Sequence, residues 1–305
     1  MQRVAWLALG CWLECSGFAF AHAAAGCSAV ETGAWNDRLV ETILVVSVLA
    51  FAGGLARAMI PRSVRWPVAR WRVACFFAAI GVLAIAVLSP IDALADVFFA
   101  VHMGQHLMLM LVAAPLLAVS DAHLVMLRLL PLSPRRRLGQ AIGRMPGVKR
   151  ASHTPIAAWA ACGAFAAAFG LWHLPAAYDW ALRHPWGHAL EHLTLVITAV
   201  VFWRMIITSG RRRLSPGMAV MMVSLIGVQG AFMGAVISFA QHPLYAAYAG
   251  NSLNDQALAG VMMCVPASLV YVASSICALA RMFRAKPVRS QHALSPQTEN
   301  SLSNA

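Results

Sequence analysis

Two histidine pairs carry the chemistry this sequence can do. His102 and His106 sit four residues apart in the otherwise apolar run 97–119, and His188 and His192 repeat the spacing in the run 188–207. At 3.6 residues per turn, positions i and i+4 stack on one face of a helix, so each pair aims two imidazoles the same way. That is a metal-ligand spacing. Met103 lies one helical step from His106, and Glu191 shares the face of His188. Neutral imidazoles with a thioether nearby and few carboxylates in the spans suit copper or zinc rather than calcium or magnesium. A site that must release its ion favours Cu(I). Haem is the rival, because a histidine on each of two helices can ligate iron from both sides. His188, Glu191 and His192 also match the H-x-x-E-H order of a zinc peptidase class whose Glu is a general base.

The elements that must bring the pairs together are membrane helices. Of 305 residues, 60% are apolar and 11% charged, with a mean hydropathy of +0.70, whereas roughly 25% of a soluble domain is charged. Seven apolar runs follow one another at 39–60, 73–88, 97–119, 155–171, 188–207, 218–240 and 257–280. Most approach the ~20 residues that cross a hydrocarbon core, and the runs are too long and too evenly apolar for barrel strands. The expected fold is therefore all-α, a polytopic seven-transmembrane-helix bundle. Residues 1–25, with Arg3, an apolar stretch and Ala19, Ala21 and Ala23, form a signal-like segment. A short outer segment, 26–38, precedes the membrane domain 39–283, and a polar, Ser- and Asn-rich stretch, 284–305, reads as a disordered cytoplasmic tail.

Lys and Arg set the orientation. The segments after the first, third, fifth and seventh spans hold Arg62, Arg65, Arg70 and Arg72, then Arg135, Arg136 and Arg137, then Arg211, Arg212 and Arg213, then Arg281, Arg284 and Arg289. The alternate segments hold only Arg38 and Arg183. The positive-inside rule then puts the N-terminus outside and the C-terminus inside, and the net charge of +12 reports topology rather than nucleic-acid binding. An apolar patch at 124–132 in the third inner loop suits the headgroup region, a contact with membrane lipid. The seven cysteines form no CxxC pair, which argues against a thiol-type metal carrier.

With this topology both pairs fall in the outer halves of their helices. His173, His184 and His242 lie toward the same side, as do Asp92, Asp96, Asp179, Glu191 and Asp255. A single histidine near a helix end is ordinarily an interfacial residue, and scattered methionines are ordinarily gap-fillers. Two matched pairs are different, since an ionisable group inside a span costs about 3 kcal/mol on insertion scales and marks a functional interior. The inner ends of the third and fifth spans are nearly apolar, which favours a one-sided site over a path through the membrane.

Three colinear stretches carry a family resemblance. Ser89-Pro90-Ile91-Asp92-Ala93-Leu94-Ala95-Asp96 precedes His102-Met103-Gly104-Gln105-His106. Trp172-His173-Leu174-Pro175-Ala176-Ala177-Tyr178-Asp179 precedes His188-Ala189-Leu190-Glu191-His192. Pro243-Leu244-Tyr245 leads to Asp255-Gln256-Ala257-Leu258-Ala259-Gly260. Together they resemble the polytopic CtaG-type cytochrome c oxidase assembly factors over roughly 89–281. The resemblance implies a non-enzymatic assembly protein of the bacterial inner membrane that aids delivery of copper to the oxidase. Its partners would be oxidase subunits and a copper donor protein. Carried over residue by residue, it nominates His102, His106, His173, His188 and His192 as metal-handling groups and Asp92, Asp179 and Asp255 as polar neighbours. Cys264 stands where an aromatic residue is usual, and Ala113-Ala114-Pro115 where a double proline is usual. Cys264 is then either an added soft ligand or a small packing residue. A copper permease and a haem-binding electron-transfer protein are the alternatives.

The orientation is open to a direct test. A reporter active only in the periplasm is expected to be active when fused after Asp179 or Ala249 and silent after Arg136, Arg212 or Arg289. Activity at Arg136 would invert the topology and move the histidines to the cytoplasmic side.

Overall fold

An apolar chain in lipid must satisfy its backbone hydrogen bonds within each crossing segment, which leaves helices as the solution for this sequence. The computed structural model of the protein describes residues 30–59, 68–144, 155–207 and 214–284, and no strand occurs among them. The signal-like segment 1–25 and the tail beyond residue 284, with His22, His153 and His292, lie outside the described residues. The helices are α1 (Val30–Met59), α2 (Arg70–Leu88), the short α3 (Pro90–Ala95), α4 (Phe99–Ser120), α5 (Ala122–Met126) and α6 (Leu132–Arg144). They continue with α7 (Pro155–Trp172), α8 (Pro175–Arg183), α9 (Pro185–Ile207), α10 (Pro216–Phe239) and α11 (Leu253–Arg284). Seven of them, α1, α2, α4, α7, α9, α10 and α11, are long and apolar enough to cross a membrane. Their outward faces carry exposed large apolar side chains such as Leu49, Val228, Phe232, Phe239 and Leu269, as lipid contact requires.

Helix α4 is the central post. Over its most apolar window 56% of the residues are buried, against 11% for α1, and it packs on α2, α9 and α11. It starts at Phe99, two residues later than the apolar run suggests. Ser89 caps α3 by accepting from the Ile91 N–H at 3.1 Å, Pro90 opens that helix, and Phe98 is extended at φ −115° and ψ 121°. The restart is capped from across the bundle, where the Asp255 carboxylate accepts the Phe99 N–H at 2.9 Å and the Ala100 N–H at 3.1 Å. A carboxylate at a helix N-terminus satisfies otherwise orphaned donors and complements the helix dipole. Gln105 Nε2 donates to Ala86 O at 2.7 Å and to Asp92 Oδ1 at 2.6 Å, so α2, α3 and α4 are pinned together.

Halfway along, α4 loosens into a π-helical turn over Met108–Ala113, and the Ala114 N–H reaches back to Leu109 O. Pro115 follows immediately and has no N–H to give the preceding turn. Trp203 of α9 uses this relaxed region, its indole donating to Met110 O at 2.9 Å. At the end of α4, Asp121 takes a left-handed conformation with φ 51°. It pairs with Arg72 at the start of α2 and, at 2.5 Å, with Arg204 near the end of α9.

The patch at 124–132 divides between two surroundings. Val125 packs in a small core with Phe51, Phe76 and the preceding Ala122, whereas Leu124, Leu129, Leu130 and Leu132 stay exposed. Helices α10 and α11 meet along small residues. A Cβ on Gly260 would strike Gly234 O and Ser238 Oγ, and one on Gly234 would lie 2.7 Å from Cys264 Sγ. Cys264 therefore belongs to this seam, where its thiol donates to Ala231 O at 3.2 Å.

The seam predicts a matched pair of outcomes in thermal melts of the detergent-solubilised protein. Gly260→Ala should destabilise by about 1–3 kcal/mol, the usual cost of overpacking. Gly81→Ala, where an added Cβ meets nothing within 4 Å, should be neutral or stabilising by up to about 1 kcal/mol. Equal melting points for the two variants would contradict the close approach of α10 and α11.

Candidate metal centre

The i, i+4 spacing on α4 does what its geometry requires. The Nε2 atoms of His102 and His106 lie 2.9 Å apart, and on α9 the rings of His188 and His192 have centroids 4.2 Å apart. The two pairs then face each other. Ring centroids are 5.2 Å apart for His102 and His188, 5.2 Å for His106 and His192, and 6.0 Å for His102 and His192. Potential ligand atoms of His102, His188 and His192 fall within 4.8 Å of one another, and so do those of His102, His106 and Glu191. Glu191 is fully buried, with Oε1 3.5 Å from His106 Nε2.

Neighbours decide which nitrogen is free on two of the rings, His102 and His173. The Tyr248 hydroxyl spends its proton on Ala95 O at 2.6 Å, so its 3.2 Å contact with His102 Nδ1 requires that nitrogen to donate. The Nε2 of His102 then carries a lone pair toward His106 and the facing pair. His173 is set the same way, because a carbonyl only accepts and its Nδ1 lies 2.7 Å from Phe169 O. Fixing one ring nitrogen by a donor bond is how proteins prepare the other for a metal. No hydrogen-bond partner meets the buried His106 Nδ1, His173 Nε2, His188 Nε2, His192 Nε2 or either Glu191 oxygen. Two more such atoms occur among the described residues, Tyr178 Oη, whose ring packs on His102, and Gln105 Oε1, whose amide faces α2 and α3.

Of the five histidines expected at a metal, four converge with Glu191. His173 stands one ring away, its centroid 6.2 Å from that of His106. Met103 is buried on the wall that joins His106 to His173. The three aspartates hold the scaffold. Asp92 receives Gln105, Asp255 caps α4, and Asp179 Oδ1 accepts the Ala247 N–H at 3.1 Å. His184 and His242 are exposed, and the His184 Nδ1 donates to Trp180 O at 2.8 Å.

A roof closes this end of the bundle. Pro175 starts α8, which crosses over the cluster, and a 3-10 turn at Ala246–Tyr248 meets it, tied by Asp179 and by the Tyr245 hydroxyl donating to His173 O at 3.0 Å. Phe99, Tyr178, Tyr245 and Tyr248 form the underside, with centroids 5.1 Å apart for Phe99 and Tyr248 and 4.4 Å for Tyr178 and Tyr245. Burial pushes the hydroxyls of these three tyrosines up from their ordinary range, so they stay neutral. Sequence reasoning gave no role to Gln105, Tyr178 and Tyr245, although they stand in the resembling stretches, and passed over Tyr248. The signal was present, since the chain has only four tyrosines and three of them are in the roof.

The opposite side of the cluster is a floor. Phe165 packs on Phe202, and Trp203 stacks on Tyr271 at 6.1 Å with planes 7° apart. The arrangement offers a small, dry, nitrogen-rich cage with one carboxylate, closed above by tyrosines and below by aromatic rings. Such donors can hold one borderline or soft cation.

Neither curated proteins nor solved structures match this chain. A family model, that of the cytochrome c oxidase caa3 assembly factor (Caa3_CtaG), matches residues 49–285. This match runs from within α1 to the end of α11 and takes in both histidine pairs, the roof and the floor, so the chain belongs to the cytochrome c oxidase caa3 assembly factor family.

Proposed function

We propose that this protein handles copper as cargo for the oxidase it helps assemble, holding Cu(I) between α4 and α9 and releasing it by ligand exchange. His102, His106, His188 and His192 are the ligands, and Glu191 supplies the negative charge that lets a cation rest in a low-dielectric interior. The observation that carries this reading is the concentration of unpartnered buried nitrogens and oxygens at one point. Each costs about 1–3 kcal/mol if left unmet, and a cation in the cage would meet those of His188, His192 and Glu191. Neutral imidazoles rather than thiolates suit an ion that must leave again. The Lys and Arg distribution supports a cage on the periplasmic side of a bacterial inner membrane, where oxidase subunits and a copper donor protein could reach it.

The alternatives are less well supported. Four rings converging on a point leave no flat slot for a porphyrin. A permease needs polar groups below the cage, where Phe165, Phe202, Trp203 and Tyr271 pack instead. Peptidase chemistry at His188, Glu191 and His192 would require a cleft for polypeptide, and the roof covers the cage. The protein on this reading catalyses no covalent chemistry.

Copper bound per purified protein, with folding checked by melting, tests the cage. His106→Ala and His192→Ala should each lower copper affinity by about tenfold or more, and the double variant should be little worse, because ligands of one ion are not additive. The exposed His184→Ala should bind as wild type. Undiminished copper in the double variant would overturn the cage.

Tyr248→Phe removes the acceptor that holds the His102 tautomer without touching a ligand atom. Copper affinity should fall about tenfold, the size expected for a partner of a ligand, and oxidase activity in membranes of cells carrying the variant should fall with it. An unchanged affinity would show that Tyr248 serves only the roof.

A further inference from the structure

Directly beside the cage, on its floor side, α4, α7, α10 and α11 line a second space. Three thioethers line it: Met103 and Met110 from α4 and Met263 from α11, all buried. The helix period puts Met103, His106 and Met110 on one face of α4. His106 and His173 share the wall with Tyr271, Gly230 and the apolar Leu107, Leu111, Phe169 and Ala267. The space has room for about one water-sized occupant, which suits a single ion and excludes a larger ligand.

Two further observations distinguish this chamber from ordinary methionine packing. His173, more than nine-tenths buried, bonds Phe169 O through Nδ1 and has no partner for Nε2. Its ligand atoms also fall outside the close groups formed by the other four histidines and Glu191, so it belongs to the chamber rather than the cage. His106 stands between the two, with Nε2 beside His102 and Glu191 and a buried, unpartnered Nδ1.

We propose that the chamber is a second Cu(I) position, made of Met103, Met110 and Met263 with His173, to which an ion passes from the cage across His106. Thioether sulfur is a soft donor that accepts Cu(I) and discriminates against Zn(II), whereas imidazoles take either. The chamber therefore selects the monovalent ion, and the cage does not. No thiol takes part, since Cys264 faces the seam between α10 and α11.

This inference rests on the copper reading of the cage, and the two can fail separately. The full-length protein in detergent is loaded with Cu(I) under reducing conditions and, separately, with Zn(II), and the copper environment is read by X-ray absorption. The wild type should bind one more equivalent of Cu(I) than of Zn(II) and show sulfur neighbours to copper. Met103→Leu/Met110→Leu/Met263→Leu, a nearly volume-conserving change, should lose that extra equivalent and the sulfur signal while keeping Zn(II). Met263→Leu alone is the milder variant should the triple fold poorly, and should weaken the sulfur signal. Cys264→Ala should change nothing. Copper with nitrogen and oxygen neighbours alone, sulfur that survives the triple, or a sulfur signal undiminished in Met263→Leu overturns the chamber and leaves the cage standing. Sulfur lost in Cys264→Ala assigns it to the thiol and overturns the chamber too. A wild type that binds no copper overturns both.

Discussion

Four imidazoles and a carboxylate packed between two apolar helices are the constraint to which the rest of this structure answers. A carboxylate without a partner in such surroundings costs several kcal/mol, and each unmet ring nitrogen adds to that. Hydrophobic packing alone would select a different set of residues at the α4 and α9 interface. The surrounding elements are arranged to keep these groups in place and dry. Tyr248 and Phe169 O orient rings from behind, the tyrosine roof excludes water above, and Trp203 and Phe202 exclude it below.

Helix α4 bears most of this arrangement, and its irregularities have identifiable causes. It begins late because Pro90 and Ser89 build a separate short helix first, and Asp255 supplies the missing cap from 155 to 156 positions further along the chain. It loosens at Met108–Ala113 just before Pro115, and the Trp203 indole bonds the Met110 carbonyl there. The π-turn thus sits at the boundary between the polar first half of the helix and its apolar second half. π-turns inside α-helices are frequent at functional sites for this reason, since they redirect side chains without ending the helix.

The acidic residues of the family resemblance divide by role. Glu191 enters the cage, whereas Asp92, Asp179 and Asp255 bond an amide side chain or backbone N–H groups that fix α3, the roof and the start of α4. Asp121, which belongs to none of the motif stretches, performs the matching task at the other end by joining Arg72 and Arg204. Positions around the histidine cluster thus include both members of the cluster and clamps, and residue type alone does not separate them.

Much of this protein was legible from its residues. Length and apolarity of seven runs set the helix count, because lipid leaves the backbone no other partner. The i, i+4 period set the shared direction of His102 with His106 and of His188 with His192, because that follows from the helix itself. What the chain in one dimension could not decide was which helices touch. The meeting of α4 with α9, the separation of His173 from the other four histidines, the 2.9 Å bond from Asp255 to Phe99 and the tyrosine roof all depend on packing between segments distant in sequence. Local periodicity orients a side chain about its own helix axis. Only the tertiary structure brings those axes together, because packing and long-range caps are set by shape and burial rather than by neighbours along the chain.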